Sequence, residues 1–141
     1  PDFFAAMTAV LRLGQLVGAT IDRALRDHGL NRTGFLILAV LYLKSDRSLS
    51  MGQLSKRLLL HPTTVSLVAD KLQERQLVLR SPSTTDRRTI LATLTDEGAR
   101  TLIVISEQLG EANYGFEGVD ARMAITLTEV VRHVRHDMGD G

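Results

Sequence analysis

Between residues 49 and 95 the chain carries two helix-start signals in close succession and then two alternating segments, an order that few folds accommodate. Leu49-Ser50-Met51-Gly52-Gln53 is a capping signature: a serine cap, a glutamine three residues on, and an apolar residue just before the cap. It predicts a helix from Met51 to about Leu58. His61-Pro62 opens another, because proline is tolerated at the first helical position, where its missing N–H costs nothing. That helix is expected to reach Arg75. Two short helices separated by a tight turn form a helix-turn-helix, whose second member is the candidate DNA reader. Next come Leu77 to Arg80, the Ser/Pro/Thr-rich connection Ser81 to Asp86, and Arg87 to Leu94, where Ile90, Ala92 and Leu94 alternate with Thr89, Leu91 and Thr93. Period-two patterning on both sides of a turn-rich connection predicts a β-hairpin, and a hairpin in this place is a wing.

Helical periodicity flanks this segment. Phe3, Met7, Val10, Leu11, Gly14, Val17, Ile21, Ala24 and Leu25 recur at spacings of three and four over residues 3 to 25, and Asp27-His28-Gly29 reads as the end of that helix. A helix from Thr33 to Lys44, capped by Thr33, is apolar nearly all round and is expected to be central. Thr95 caps a further helix with Asp96 and Glu97 in its first turn, where carboxylates favour the positive end of the helix dipole. It runs to about Asn113, Tyr114 to Gly118 break it, and a last helix extends from Val119 to Met138. The predicted fold class is mainly α with a small β-hairpin wing: a winged helix-turn-helix with N- and C-terminal dimerisation helices.

A chain of 141 residues is enough for one packed domain and short for two. Within residues 1–141, residues 33–95 can build a compact winged lobe, leaving 1–32 and 96–141 as dimerisation helices. Their apolar stripes (Phe3, Met7, Leu11; Leu102, Ile105, Leu109; Leu127, Val130, Val131, Val134) need another surface, and a twofold partner supplies it economically. No cysteine is present, which excludes disulfides, thiolate metal sites and cysteine-based redox sensing. No apolar run is read as approaching the roughly 20 residues of a membrane span, and no basic region leads into a cleavage site, so a cytoplasmic protein is expected. A chain that starts at Pro1 is expected to lack its native first residues.

Net charge is only +1, but it is unevenly distributed. Residues 51 to 95 hold seven cations (Lys56, Arg57, Lys71, Arg75, Arg80, Arg87, Arg88) against three anions (Asp70, Glu74, Asp86), as an electrostatic footprint for phosphate requires. At about 100° per residue, Val65, Val68, Ala69 and Leu72 of the reader helix share its core side. Thr63, Leu67, Asp70, Lys71 and Glu74 share the other. Leu67 can meet a thymine methyl there, with Thr63 and Lys71 beside it and Thr64 and Ser66 flanking. Taken alone, such a face is also ordinary solvated surface. Hydroxyls at the helix start, and Ser50 after its capping role, suit phosphate positioning. Arg87 and Arg88 stand just past the wing tip beside Asp86; arginine suits a narrow A·T-rich minor groove, although a surface turn with a modest ion pair is the plainer reading. The DNA-binding candidates are therefore Ser50, Thr63, Thr64, Ser66, Leu67, Lys71, Arg75, Asp86, Arg87 and Arg88.

Asp86-Arg87-Arg88-Thr89-Ile90-Leu91-Ala92-Thr93-Leu94-Thr95 fits the wing signature D-x-R, five residues, L-T, of the multiple antibiotic resistance regulator (MarR) family, and the match continues into Asp96-Glu97-Gly98. Leu54 to Val78 resembles the family's recognition helix, and the six-helix layout resembles the family over the whole chain. The resemblance implies a homodimer held by the first, fifth and sixth helices, acting on duplex DNA as a transcription regulator and repressor at a palindromic operator. Recognition helices would occupy successive major grooves and wings the flanking minor grooves, with Arg88 entering the groove and Asp86 orienting it. One departure is Gln76, where the family usually has a glycine suited to a left-handed turn. Relatives that bind phenolic or aromatic acids in a cleft between the dimer helices and the DNA lobe imply a small-molecule effector here, with Arg12, Phe35 and Tyr42 as candidates; Phe35 and Tyr42 also read as core residues and Arg12 as a solvated one.

His133 and His136 stand three apart near the C-terminal end of the last helix with Asp137 beside them, which is ordinary for a helix end; no metal site and no cofactor is expected. His61 is assigned to the turn before the reader helix. No Ser/His/Asp, paired-carboxylate or Gly-rich phosphate pattern is assembled, so an enzyme is not expected. The alternative from another class is a winged helix used to dock protein, which would lack the salt dependence of phosphate neutralisation.

Overall fold

The computed structural model describes residues 2–137. Six α-helices and a three-stranded antiparallel sheet follow one another as α1 (Phe3–Arg26), α2 (Arg32–Tyr42), β1 (Ser48–Ser50), α3 (Met51–Leu58), α4 (Pro62–Glu74), β2 (Val78–Pro82), β3 (Ile90–Leu94), α5 (Asp96–Glu111) and α6 (Ala121–Asp137), with a single 3₁₀ turn at Asn113–Gly115. The sequence placed these helices to within a few residues. Met138, the expected end of α6, lies outside the described residues.

Four local expectations need correction. The cap of α2 is Asn31, not Thr33: Asn31 is extended and its Oδ1 accepts the Gly34 N–H at 2.7 Å, so the helix starts at Arg32. The sheet has a third strand, β1, pairing Ser48 with Thr93 and Leu49 with Ala92; one apolar residue between two serines is too short an alternation to read. The wing turn lies later in the chain than expected, since β2 continues to Pro82 and β3 begins only at Ile90, leaving Arg87 and Arg88 in the turn. The α5 stripe Leu102, Ile105 and Leu109 is buried inside the protomer instead of facing outward; Ile103 and Val104 are the exposed apolar residues there.

The main core joins Ile37, Leu38 and Leu41 of α2 to Leu54, Val65 and Leu72 of α3 and α4, closed beneath by Leu49, Val78, Ala92 and Leu94 of the sheet. Leu25, Ile105 and Leu109 form a smaller cluster tying α1 to α5. Arg32 reaches across Gly18 to Asp22, donating from Nε and Nη2 at 3.2 and 2.8 Å, and so pins α1 to the start of α2. Those hydrogen bonds from Arg32 hold the Asp22 carboxyl below its usual range. A lowered folded-state value contributes stability above the unfolded carboxylate pKa that is lost as pH falls through the folded one. Asp22→Asn is therefore expected to flatten the acid limb of a stability-against-pH curve, as read by thermal melts at stepped pH.

Gln76 has φ of +60°, the left-handed region that the departure from glycine raised as a concern. Its carbonyl accepts from Thr95 Oγ1 at 2.6 Å, which holds the backbone there. Relief of the left-handed strain, set against the extra unfolded-chain freedom of glycine, makes Gln76→Gly stabilising by about 0.5–1 kcal/mol. Denaturant titration checks this, and a midpoint shifted downward would show the turn to be unstrained.

α1 is by length and composition alone long and apolar enough to cross a membrane, which corrects the sequence reading that no run approached that length. A single such helix near an N-terminus is weak evidence of a span, and one face of α1 packs on α5 through Ile21, Ala24 and Leu25. Phe3, Phe4, Met7, Val10 and Leu11 of its first half are nevertheless exposed. In α6, Met123, Ile125, Val130, Val131 and Val134 are exposed too, and no residue of that helix with a described side chain is buried.

Candidate nucleic-acid interface

α3 starts on the expected capping box: Ser50 Oγ accepts the Gln53 N–H at 3.1 Å and Gln53 Oε1 accepts the Ser50 N–H at 2.9 Å. Its C-cap, Leu59, is left-handed at φ +53°, and this residue turns the chain toward α4 without a glycine. His61 belongs to that turn as expected, since its Nδ1 accepts the Thr63 N–H at 3.1 Å and so caps α4. Val65, Ala69 and Leu72 then lock α4 into the core, while Thr63, Thr64, Leu67 and Lys71 face solvent and Ser66 is half-buried. Leu67 keeps 59% of its surface exposed, so the leucine at the centre of this polar face is not a core residue of the protomer.

Two of the expected contacts are engaged differently. Arg75 is the C-cap of α4 and donates from Nη1 to the Gly29 carbonyl at 3.3 Å, bracing the turn between α1 and α2. Asp86 does not grip the Arg88 guanidinium; its Oδ1 accepts the Arg88 backbone N–H at 3.0 Å and its Oδ2 the Thr89 hydroxyl at 3.3 Å. The carboxylate thus fixes the wing turn through the backbone. Arg87 and Arg88 are exposed, and neither guanidinium has an acidic partner among the described residues.

The sequence reading missed Arg80. Its Nη2 meets Asp70 Oδ1 and its Nε and backbone N–H share Gln73 Oε1 at 3.2 and 3.0 Å. One side chain therefore ties the wing strand to the reading helix and sets the angle between them. Ten residues separate Arg80 from Asp70 across a left-handed turn, and no periodicity signals that meeting.

The effector candidates separate. Phe35 and Tyr42 line a cavity of about 430 Å³ between α2 and α5, together with Leu102, Leu109 and Tyr114. Arg12 is exposed on α1 and is not in its wall. The described residues contain no group of three potential metal ligands, and the side chain of Asp137 lies outside them.

A profile of the MarR family matches residues 30–90, the segment that holds α2, the helix-turn-helix and most of the wing. The chain is 37% identical over 78 residues to the transcriptional regulator MhqR of Bacillus subtilis, a stretch covering 55% of this chain and 52% of that protein. It spans about half the length of the curated relatives it matches. The structure of Sco5413, a MarR family transcriptional regulator from Streptomyces coelicolor, superposes with a TM-score of 0.80 at 27% identity, covering 97% of this chain and 95% of that one. Sco3205 from the same organism, solved in complex with DNA, gives a TM-score of 0.75 at 24% identity over 94% of this chain and 85% of its own. The likeness in sequence thus lies over the winged lobe, where residues 30–90 match the MarR family, and in structure it extends through the flanking helices.

Proposed function

We propose that this chain is a sequence-specific DNA-binding transcription regulator that represses as a homodimer on a palindromic operator and is relieved by a small-molecule effector. The observation that carries the reading is the exposed face of α4, with Leu67 amid Thr63, Thr64 and Lys71, beside a wing whose Arg87 and Arg88 have no acidic partner among the described residues. Leu67 and its neighbours read base edges in the major groove, Ser50, Thr64 and Ser66 position phosphates, and Arg88 enters the adjoining minor groove. Arg75 braces the α1–α2 turn and contributes to the cationic field, and Asp86 shapes the wing. The protein acts in the cytoplasm and catalyses no reaction.

Two copies are required because α1 and α6 leave apolar faces uncovered. We assign residues 1–32 and 96–141 to dimerisation and 33–95 to the DNA-binding lobe. Two lobes related by a twofold axis read half-sites about 34–36 Å apart, one turn of B-form DNA. Selection of bound sequences from random duplex DNA, paired with sedimentation of the free protein, tests both claims together. A palindromic consensus with half-sites one turn apart is expected. A monomer whose DNA affinity does not fall with salt would overturn the reading in favour of a protein-docking winged helix.

Leu67→Ala removes an apolar contact and no charge, so it is expected to relax the preference at one base pair by about 1–3 kcal/mol without changing the salt slope. The same selection run on the variant checks this; an unaltered consensus would remove Leu67 from the reading set.

A further inference from the structure

We infer that the cavity between α2 and α5 takes an uncharged or cationic aromatic molecule and discriminates against aromatic acids. The inference rests on the effector-relieved reading above and specifies its ligand. About 430 Å³ is within the range of small-molecule sites. Phe35, Ala39, Leu102 and Leu109 make the wall mostly apolar. Its polar residues are Ser106 and Tyr114, whose hydroxyls stand 3.1 Å apart, Tyr42, and Glu107, which is exposed at the open side.

No lysine, arginine or histidine lines the cavity among the described residues, and Glu107 is the one acidic residue in its wall. Arg12, an effector candidate from the sequence, is exposed on α1 and is not in the wall. Arg47 lies over the Tyr42 ring, 5.4 Å from its centroid, and its Nη1 is 4.0 Å from Asp96 Oδ1, but it is not part of the wall. An entering carboxylate would surrender its hydration to an apolar wall with no cation to receive it, and would approach a like charge. A hydroxyl or ammonium group meets the opposite situation: Glu107 accepts its hydrogen bond, and the faces of Tyr42 and Tyr114 attract positive charge.

Three probes with one ring system separate charge from shape: 2-naphthol, 2-naphthylmethylammonium and 2-naphthoate, each titrated by calorimetry into the full chain at pH 7 and fixed salt, without DNA. The first two are expected to bind and the third to bind at least about tenfold more weakly. Glu107→Gln should bring naphthoate to within about threefold of naphthol. Ala39→Phe, which fills the cavity, and Ile103→Trp at its exposed rim, should each abolish the naphthol titration. Naphthoate binding as tightly as naphthol, selectivity unchanged in Glu107→Gln, or no binding by any probe would each overturn the inference, the last because the cavity is then occupied by a second copy or closed. Salt-dependent DNA binding of the same preparation without probes is the separating readout: if it persists while the titrations fail, only the ligand assignment falls.

Discussion

Gly98→Ala is expected to destabilise the protein by about 3 kcal/mol, although helix propensity alone favours alanine in a helix by about 1 kcal/mol. A Cβ on Gly98 would stand 2.1 Å from the Leu77 carbonyl oxygen and 2.7 Å from Leu94 Cδ1. The first of these is backbone and cannot swing aside. It is also engaged: the Leu77 carbonyl accepts the Thr95 N–H at 3.1 Å and the Thr95 hydroxyl at 3.0 Å, where α5 seats on the start of the wing. Relief therefore requires moving α5 or β2. Gly52→Ala is the matched control, since nothing lies within 4 Å of its added Cβ and propensity should act unopposed. Urea unfolding of the pair is expected to give shifts of opposite sign; a stabilised Gly98→Ala would mean that α5 seats on β2 more loosely than this geometry requires.

Arg88→Ala is expected to weaken operator binding by about 2 kcal/mol, roughly thirtyfold, while leaving unfolding and dimerisation unchanged. The side chain is exposed and makes no ion pair among the described residues, so its removal costs the free protein nothing. Its backbone N–H remains bonded to Asp86, so the turn keeps its shape. Asp86→Ala attacks the same function by another route, releasing both the Arg88 N–H and the Thr89 hydroxyl, and should weaken binding with a larger ordering cost for the wing. Titrations of both variants against the selected operator at fixed salt provide the comparison. Parental affinity for Arg88→Ala would remove the wing from the interface.

Much of the architecture was readable in advance because its signals are local. The Ser50–Gln53 box, Pro62 at the first position of α4, Thr95 at the start of α5, and the alternation of Ile90, Ala92 and Leu94 each involve residues within a few positions of one another. The exposed face of α4 is equally legible, since helical phase places Leu67 opposite Val65 and Ala69 once the helix is granted. The errors arose where a residue's partner lies far along the chain. The sequence points to Thr33 as a cap because nothing nearby shows that Asn31 is extended and accepts the Gly34 N–H. The stripe of Leu102, Ile105 and Leu109 reads as an interface because periodicity reports that a face is apolar and not what covers it; here α1 and α2 of the same protomer do.

The candidate interface shows the same division in its polar residues. Arg75, Arg80 and Asp86 all counted as charge in a basic segment, but they act as braces: on the α1–α2 turn, between wing and reading helix, and within the wing turn. Arg12 stands apart from the α2–α5 cavity, because helical phase cannot place one helix against another across a lobe.

From its sequence alone this chain determined the type and order of its helices and its wing, the cationic middle third, and the face of α4 left exposed, because hydrogen-bond caps and side-chain periodicity are set by neighbours along the backbone. Only the tertiary structure decided which apolar stripe is core, which arginines are committed as braces and which stay unpaired, and the charge of the cavity wall between α2 and α5. Those outcomes depend on distances between segments remote in sequence, and packing around a shared core is what sets them.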